Sequence, residues 1–182
     1  MKIRKLSYRI RVQFLGFLGL ALLLNACGFQ PIYGNISPKV GAQSTEDLLR
    51  SVDIEIIPNF EGQFLRNQLI DSMHNTGAAP SFQYVLKIGD ISETKRDLDI
   101  TKESNATIAQ LRLATSLTLR RKSDNKIILK KSLWSTTSYN ILESQFTTRI
   151  SKDYARENGL KNIAQQIERQ VSLALKNSSA MR

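Results

Sequence analysis

One cysteine and one histidine serve the whole chain of 182 residues, and that scarcity excludes a good deal. A lone Cys27 cannot close an internal disulfide, so the sequence has no disulfide framework. A lone His74 belongs to no recognisable nucleophile or metal motif. It reads as a surface histidine near the end of a helix, where its charge suits the dipole. Glycine-rich phosphate loops, metal-ligand spacings and nucleophile elbows are also missing from the sequence. Asp97, Asp99 and Glu103 are close together, but they fall in a charged stretch that reads as a solvated hairpin rather than a carboxylate pair. The expectation is therefore a protein that is not an enzyme, with no catalytic residue, no metal and no cofactor.

Acidic residues are absent before Glu46, whereas Lys2, Arg4, Lys5, Arg9 and Arg11 crowd the first eleven positions. The formal charge of +10 is thus concentrated at one end. Without those five residues, 21 basic side chains face 16 acidic ones. That excess suits an anionic partner without pointing to nucleic acid. The basic stretch leads into an apolar run, Phe14 to Leu24. At about 1.5 Å per residue it is too short to cross a hydrocarbon core of roughly 30 Å, and it fits the apolar region of a secretory signal. Leu24-Asn25-Ala26-Cys27 follows and resembles the lipobox of bacterial lipoproteins. That resemblance implies lipidation of Cys27, cleavage before it, and a membrane association held by several acyl chains. Gly28, in place of the aspartate that marks inner-membrane retention, implies sorting to the outer membrane. The expected organisation is a signal peptide over 1–26, a lipid-anchored segment and linker over 27–50, and one domain over 51–182.

Residues 35–47 are polar and turn-rich and read as flexible linker. Val52, Ile54 and Ile56 alternate with Asp53 and Glu55, as in a half-buried strand that Pro58 ends. Asn59 suggests a cap for a helix over roughly 60–75, where Phe64 or Leu65, Leu69 and Met73 recur at helical spacing. Phe82 to Ile88 alternates again, and Glu93 to Asn105 reads as a hairpin connection with frayed strand ends. The clearest strand has Ala109, Leu111, Leu113, Leu117 and Leu119 on one face and Gln110, Arg112, Ser116, Thr118 and Arg120 on the other. Ser123-Asp124-Asn125 marks a tight turn, and Ile127 to Tyr139 returns as the antiparallel partner, with a bulge expected near Lys130 and Lys131. Residues 149–176 form a long helix striped by Leu160, Ile163, Ala164, Ile167, Val171, Ala174 and Leu175, with Gly159 marking a bend. The fold class is α+β: a mostly antiparallel four-stranded sheet with two helices on one face, in the order strand, helix, three strands, helix.

The residues from Cys27 onward, Gly28-Phe29-Gln30-Pro31-Ile32-Tyr33-Gly34, resemble the opening of the lipopolysaccharide-assembly lipoprotein family LptE. The element order agrees with that family's fold of two helices on a four-stranded sheet. The resemblance implies a plug of the outer-membrane β-barrel LptD that assists its assembly. It implies delivery of lipopolysaccharide to the outer leaflet from an anchored position facing the periplasm and the barrel lumen. An auxiliary lipoprotein of a lipid-transporting ABC system is the alternative. Candidate lipopolysaccharide contacts are Arg112, Arg120, Lys130 and Lys131, with Arg121, Lys122 and Lys126 around the turn; a solvated basic hairpin is the competing reading. Phe29, Tyr33, Tyr139 and Phe146 are the candidate partner contacts, because apolar side chains near both ends of the core either fold back or wait for a partner.

Overall fold

Alternating apolar residues build one face of a sheet, and helical stripes cover it. The computed structural model describes residues 44–75, 77–100 and 106–180. Its elements are α1 (Thr45–Arg50), β1 (Val52–Ile54), α2 (Asn59–Met73), β2 (Tyr84–Ile88), β3 (Ser92–Ile100), β4 (Ala106–Arg121), β5 (Ile127–Asn140) and α3 (Gln145–Ala180). The fold is α+β, as expected, with five strands instead of four and three helices instead of two.

The extra strand comes from the charged stretch. β2 and β3 run antiparallel to β4 along the same edge, β2 against Leu117–Arg121 and β3 against Ala106–Ala114. They are one long strand interrupted at Gly89–Ile91. The polar alternation of Ser92-Glu93-Thr94-Lys95 hides it from a hydrophobicity argument, because neither face is apolar. Its ladder with β4 is nonetheless in register until the shifts at Asp97/Asp99 and Asp99/Ile100. The other edge of β4 takes β5 in antiparallel register, while β1 adds to β2 in parallel. The irregularity in β5 falls two residues before the expected place: Leu119 pairs Leu129 and Arg120 pairs Ile127, leaving Ile128 as the extra residue.

The extra helix, α1, lies where linker was expected. The Ser44 hydroxyl caps it by accepting from the Asp47 amide at 3.1 Å, and Leu48 and Leu49 are buried. At the start of α2, Pro58 holds the cap position and Asn59 enters the helix at φ 68, so Asn59 is not the cap its sequence position suggested.

Leu65, Leu69 and Met73 of α2 and Leu160, Ile163, Ile167, Val171 and Leu175 of α3 pack with Leu86, Leu111, Leu113, Leu117 and Leu119 of the sheet. Each such side chain contributes about 1.5–3 kcal/mol on burial. Gly159 does not break α3, which runs through it as helix. A Cβ there would stand 2.9 Å from Leu113 Cδ1, so the glycine lets the helix settle on the sheet. α3 lies against one side of the sheet: Thr137 Oγ1 donates to the Ala155 carbonyl at 3.0 Å, and Lys131 Nζ to Gln170 Oε1 at 2.9 Å, while Gln166 Nε2 donates to the Trp134 carbonyl in the plane of β5 at 3.2 Å. The opposite side of the sheet carries no helix among the described residues.

Candidate binding face

Strand register sorts the sequence-predicted cations between the two faces. Arg112 pairs Thr94 and Thr136, Arg120 pairs Val85 and Ile127, and Lys130 pairs Thr118, all on the open face. Lys131 pairs Leu117 and therefore points to the helix side, where Gln170 accepts from it. The four residues do not form one cluster; three share a face and the fourth is behind it. Lys87 and Arg96 join the three through their pairings with Thr118 and Gln110. Between these cations the face carries threonine, serine and glutamine, together with Val85, Ala114 and the half-exposed Ile108 and Ile127.

Trp134 lies among them, and its sequence position opposite Ala114 gives it room. The indole is 54% exposed, and the Arg112 guanidinium stands 4.7 Å from its ring centroid. Such a contact orders both side chains and is worth about 0.5–1 kcal/mol at an exposed site. Sequence reasoning passed over Trp134, although its even number on β5 places it on the same face as Lys130.

Around the β4–β5 turn, Arg121 Nη1 donates to Asp124 Oδ2 at 3.2 Å, and Arg121 Nε is buried without an acceptor among the described residues. Phe82, Tyr84, Arg121 and Lys122 line a shallow open cleft there. The Lys126 amide, donating to Asp124, holds that carboxyl below the ordinary carboxylate range, with Arg121 adding to the effect.

Of the expected partner contacts, Phe146 is 75% exposed but Tyr139 is 6% exposed, paired with Ala109 on the helix side. Tyr139 is therefore a core residue and not an available surface. Cys27, Phe29 and Tyr33 lie outside the described residues. Phe146 begins a stripe on α3 that continues through Ile150 and Tyr154, 53% and 66% exposed. Helical spacing of four reveals this stripe once the helix is known to start at Gln145 rather than at 149.

On the covered side, an ion-pair network ties three elements together. Arg156 Nε and Nη2 donate to Glu93 Oε2 and Oε1 at 2.6 and 3.2 Å, and Nη1 to Asp153 Oδ1 at 2.7 Å. Lys152 Nζ reaches Glu93 at 2.7 Å, and Glu61 of α2 stands 3.8 Å from Arg156. Hydrogen bonding from Arg156, then from Lys152, holds the Glu93 carboxyl below its ordinary range, against the opposing effect of burial. His74 sets Nε2 3.0 Å from the Val52 carbonyl and stacks on Phe82, a structural role. Among the described residues no group of three or more His, Cys, Asp or Glu side chains is placed to hold a metal ion, and no helix is long and apolar enough to cross a membrane.

This layered sheet with one bare face belongs to a fold seen among bacterial proteins of solved structure. The crystal structure of a candidate lipoprotein from Caulobacter crescentus matches with TM-score 0.57 at 17% identity, over 72% of this chain and 96% of that one. A minor lipoprotein from Acinetobacter baumannii matches with TM-score 0.54 at 24% identity, over 67% and 90%. The rare lipoprotein B from Shewanella oneidensis matches with TM-score 0.55 at 11% identity, over 70% and 96%. At these identities the likeness is one of fold. No family model matches the chain, and no curated protein matches it.

Proposed function

We propose that this chain is an outer-membrane lipoprotein of the LptE kind, anchored through Cys27, that plugs and assists assembly of the LptD barrel and helps lipopolysaccharide reach the outer leaflet. The observation that carries the reading is a shared fold: rare lipoprotein B and the two other solved structures compared above are named lipoproteins, and here the fold follows Leu24-Asn25-Ala26-Cys27. The open face supports it physically. A barrel lumen is polar, and a sheet side mostly of Ser, Thr, Gln, Arg and Lys tolerates such surroundings, while the side that carries the core is already covered by α2 and α3. Arg112, Arg120 and Lys130 supply guanidinium and ammonium groups that phosphate oxygens accept.

Affinity purification of the tagged chain from detergent-solubilised membranes tests the reading. The expected result is a stable complex with a large outer-membrane β-barrel. Recovery with inner-membrane transporter components instead would overturn it in favour of an ABC-system auxiliary lipoprotein.

A further inference from the structure

We propose that the Arg112–Trp134 pair is a saccharide-recognition site, taking a sugar ring that carries a phosphate or carboxylate; this rests on, and sharpens, the lipopolysaccharide reading above. Three features of the open face carry the inference.

The first is charge. Lys87, Arg96, Arg112, Arg120 and Lys130 share the face, and none makes a salt bridge among the described residues. Among the described strand side chains of that face, the acid is Asp53, which lies at the far edge on β1 beyond Val85. Five cations on one face without a salt bridge among the described residues suit an anionic occupant.

The second is the aromatic. Trp134 is the one aromatic residue of the described strands on this face, since Tyr84 and Tyr139 are both buried on the helix side. Single-stranded nucleic acid is held by successive stacking platforms, and a lone indole does not supply them. A lone indole does suit one ring with an apolar CH face, and more than half of it is open to receive one. The guanidinium stands over one face of the ring, which leaves the opposite face for the sugar, and offers planar N–H donors to an anionic substituent reaching past the ring edge.

The third is the surroundings. Thr94, Thr136 and Ser132 flank the pair by register, offering hydroxyls that donate and accept, as a polyhydroxylated ligand requires. Arg112 and Arg120 lie eight residues apart on β4, about 27 Å along a strand. One sugar ring cannot bridge them, but an oligosaccharide can.

The chain contains one tryptophan, so its fluorescence reports this site alone. The experiment titrates the detergent-solubilised full-length protein with the phosphorylated oligosaccharide released from lipopolysaccharide by mild acid, which has no acyl chains. Inorganic polyphosphate and a short single-stranded DNA serve as comparators. The expected result is a saturable change in Trp134 emission with the oligosaccharide. Calorimetry should show Trp134→Leu weakening that binding about tenfold or more, the scale of losing a buried aromatic contact. Lys131→Ala, on the other face, should bind like the parent. Each variant loses one surface contact, of Trp134 with Arg112 or of Lys131 with Gln170, so both should stay folded and melt within a few degrees of the parent, about 1 kcal/mol or less in stability. Polyphosphate binding as tightly as the oligosaccharide, tighter binding of the DNA, or no loss in Trp134→Leu would each overturn the proposal. None of these would touch co-purification with a barrel, so the two readings fail separately.

Discussion

Arg156 grips Glu93 with two hydrogen bonds, at 2.6 and 3.2 Å, and so fastens α3 to the strand most easily missed in the sequence. Lys152 adds a third contact at 2.7 Å. A carboxyl whose pKa is lowered on folding contributes stability above its unfolded pKa. That contribution is lost as the pH falls through the folded value. The melting temperature of the parent should therefore fall more steeply below about pH 4.5 than that of Glu93→Gln. At neutral pH, Glu93→Gln and Arg156→Ala should each cost about 1 kcal/mol, since partial solvent exposure screens the network. Parallel pH profiles for parent and Glu93→Gln would contradict this.

Gly159 lies buried against Leu113, and its missing side chain sets how near the helix can come. Alanine would gain about 1 kcal/mol of helix propensity. It would also press on Leu113 Cδ1 at 2.9 Å, the flexible end of a fully buried side chain. The two effects should nearly cancel, leaving Gly159→Ala within about 1 kcal/mol of the parent in denaturant melts. Gly159→Leu cannot be accommodated and should cost about 2–3 kcal/mol. Equal stability of Gly159→Leu and the parent would mean that the helix is not held at this distance.

Lys130 and Lys131 are neighbours in sequence on opposite faces of the sheet. Lipopolysaccharide binding should separate them. Replacing Arg112, Arg120 and Lys130 together should lower affinity about tenfold, at a few tenths to one kcal/mol per exposed cation, and should flatten the dependence on salt. Lys131→Ala removes a charge too, yet should leave both quantities nearly unchanged. Equal losses per charge from either face would indicate only general attraction.

How much of this was legible in the sequence depends on whether an element shows one apolar face. β4 and α2 do, and their buried residues agree with the alternation and helical spacing of Leu111, Leu113, Leu65 and Leu69. β3 is polar on both sides and exists through its ladder with β4, a partnership that no local pattern announces. α1 is six residues long, too short for a period to show; its burial rests on Leu48 and Leu49 alone. At the candidate site, the alternation already placed Arg112 and Arg120 on one face. The side of Lys131 is not legible locally, because the bulge at Ile128 and the pairing register decide it. Tyr139 looks like a surface group only if β5 ends there; the strand continues to Asn140 and carries Tyr139 inward.

Cys27 carries the anchoring expectation. Its thiol is the nucleophile that lipid transfer needs at that position, so Cys27→Ala should leave unprocessed precursor and take up no radiolabelled palmitate. Ser44 onward should fold unchanged, because the described core begins at Leu48. Palmitate incorporation at the parent level in Cys27→Ala would refute lipidation at this residue.

A large barrel partner in the outer membrane is open to in-cell photo-crosslinking from Phe146. Phe146 is 75% exposed at the start of α3, whereas Tyr139, at 6%, is a control on β5 buried in the core. The expected result is a crosslinked band between position 146 and a large outer-membrane β-barrel, with none from position 139. Silence at Phe146 in cells where the protein is abundant, or crosslinks only to inner-membrane transporter components, would contradict it.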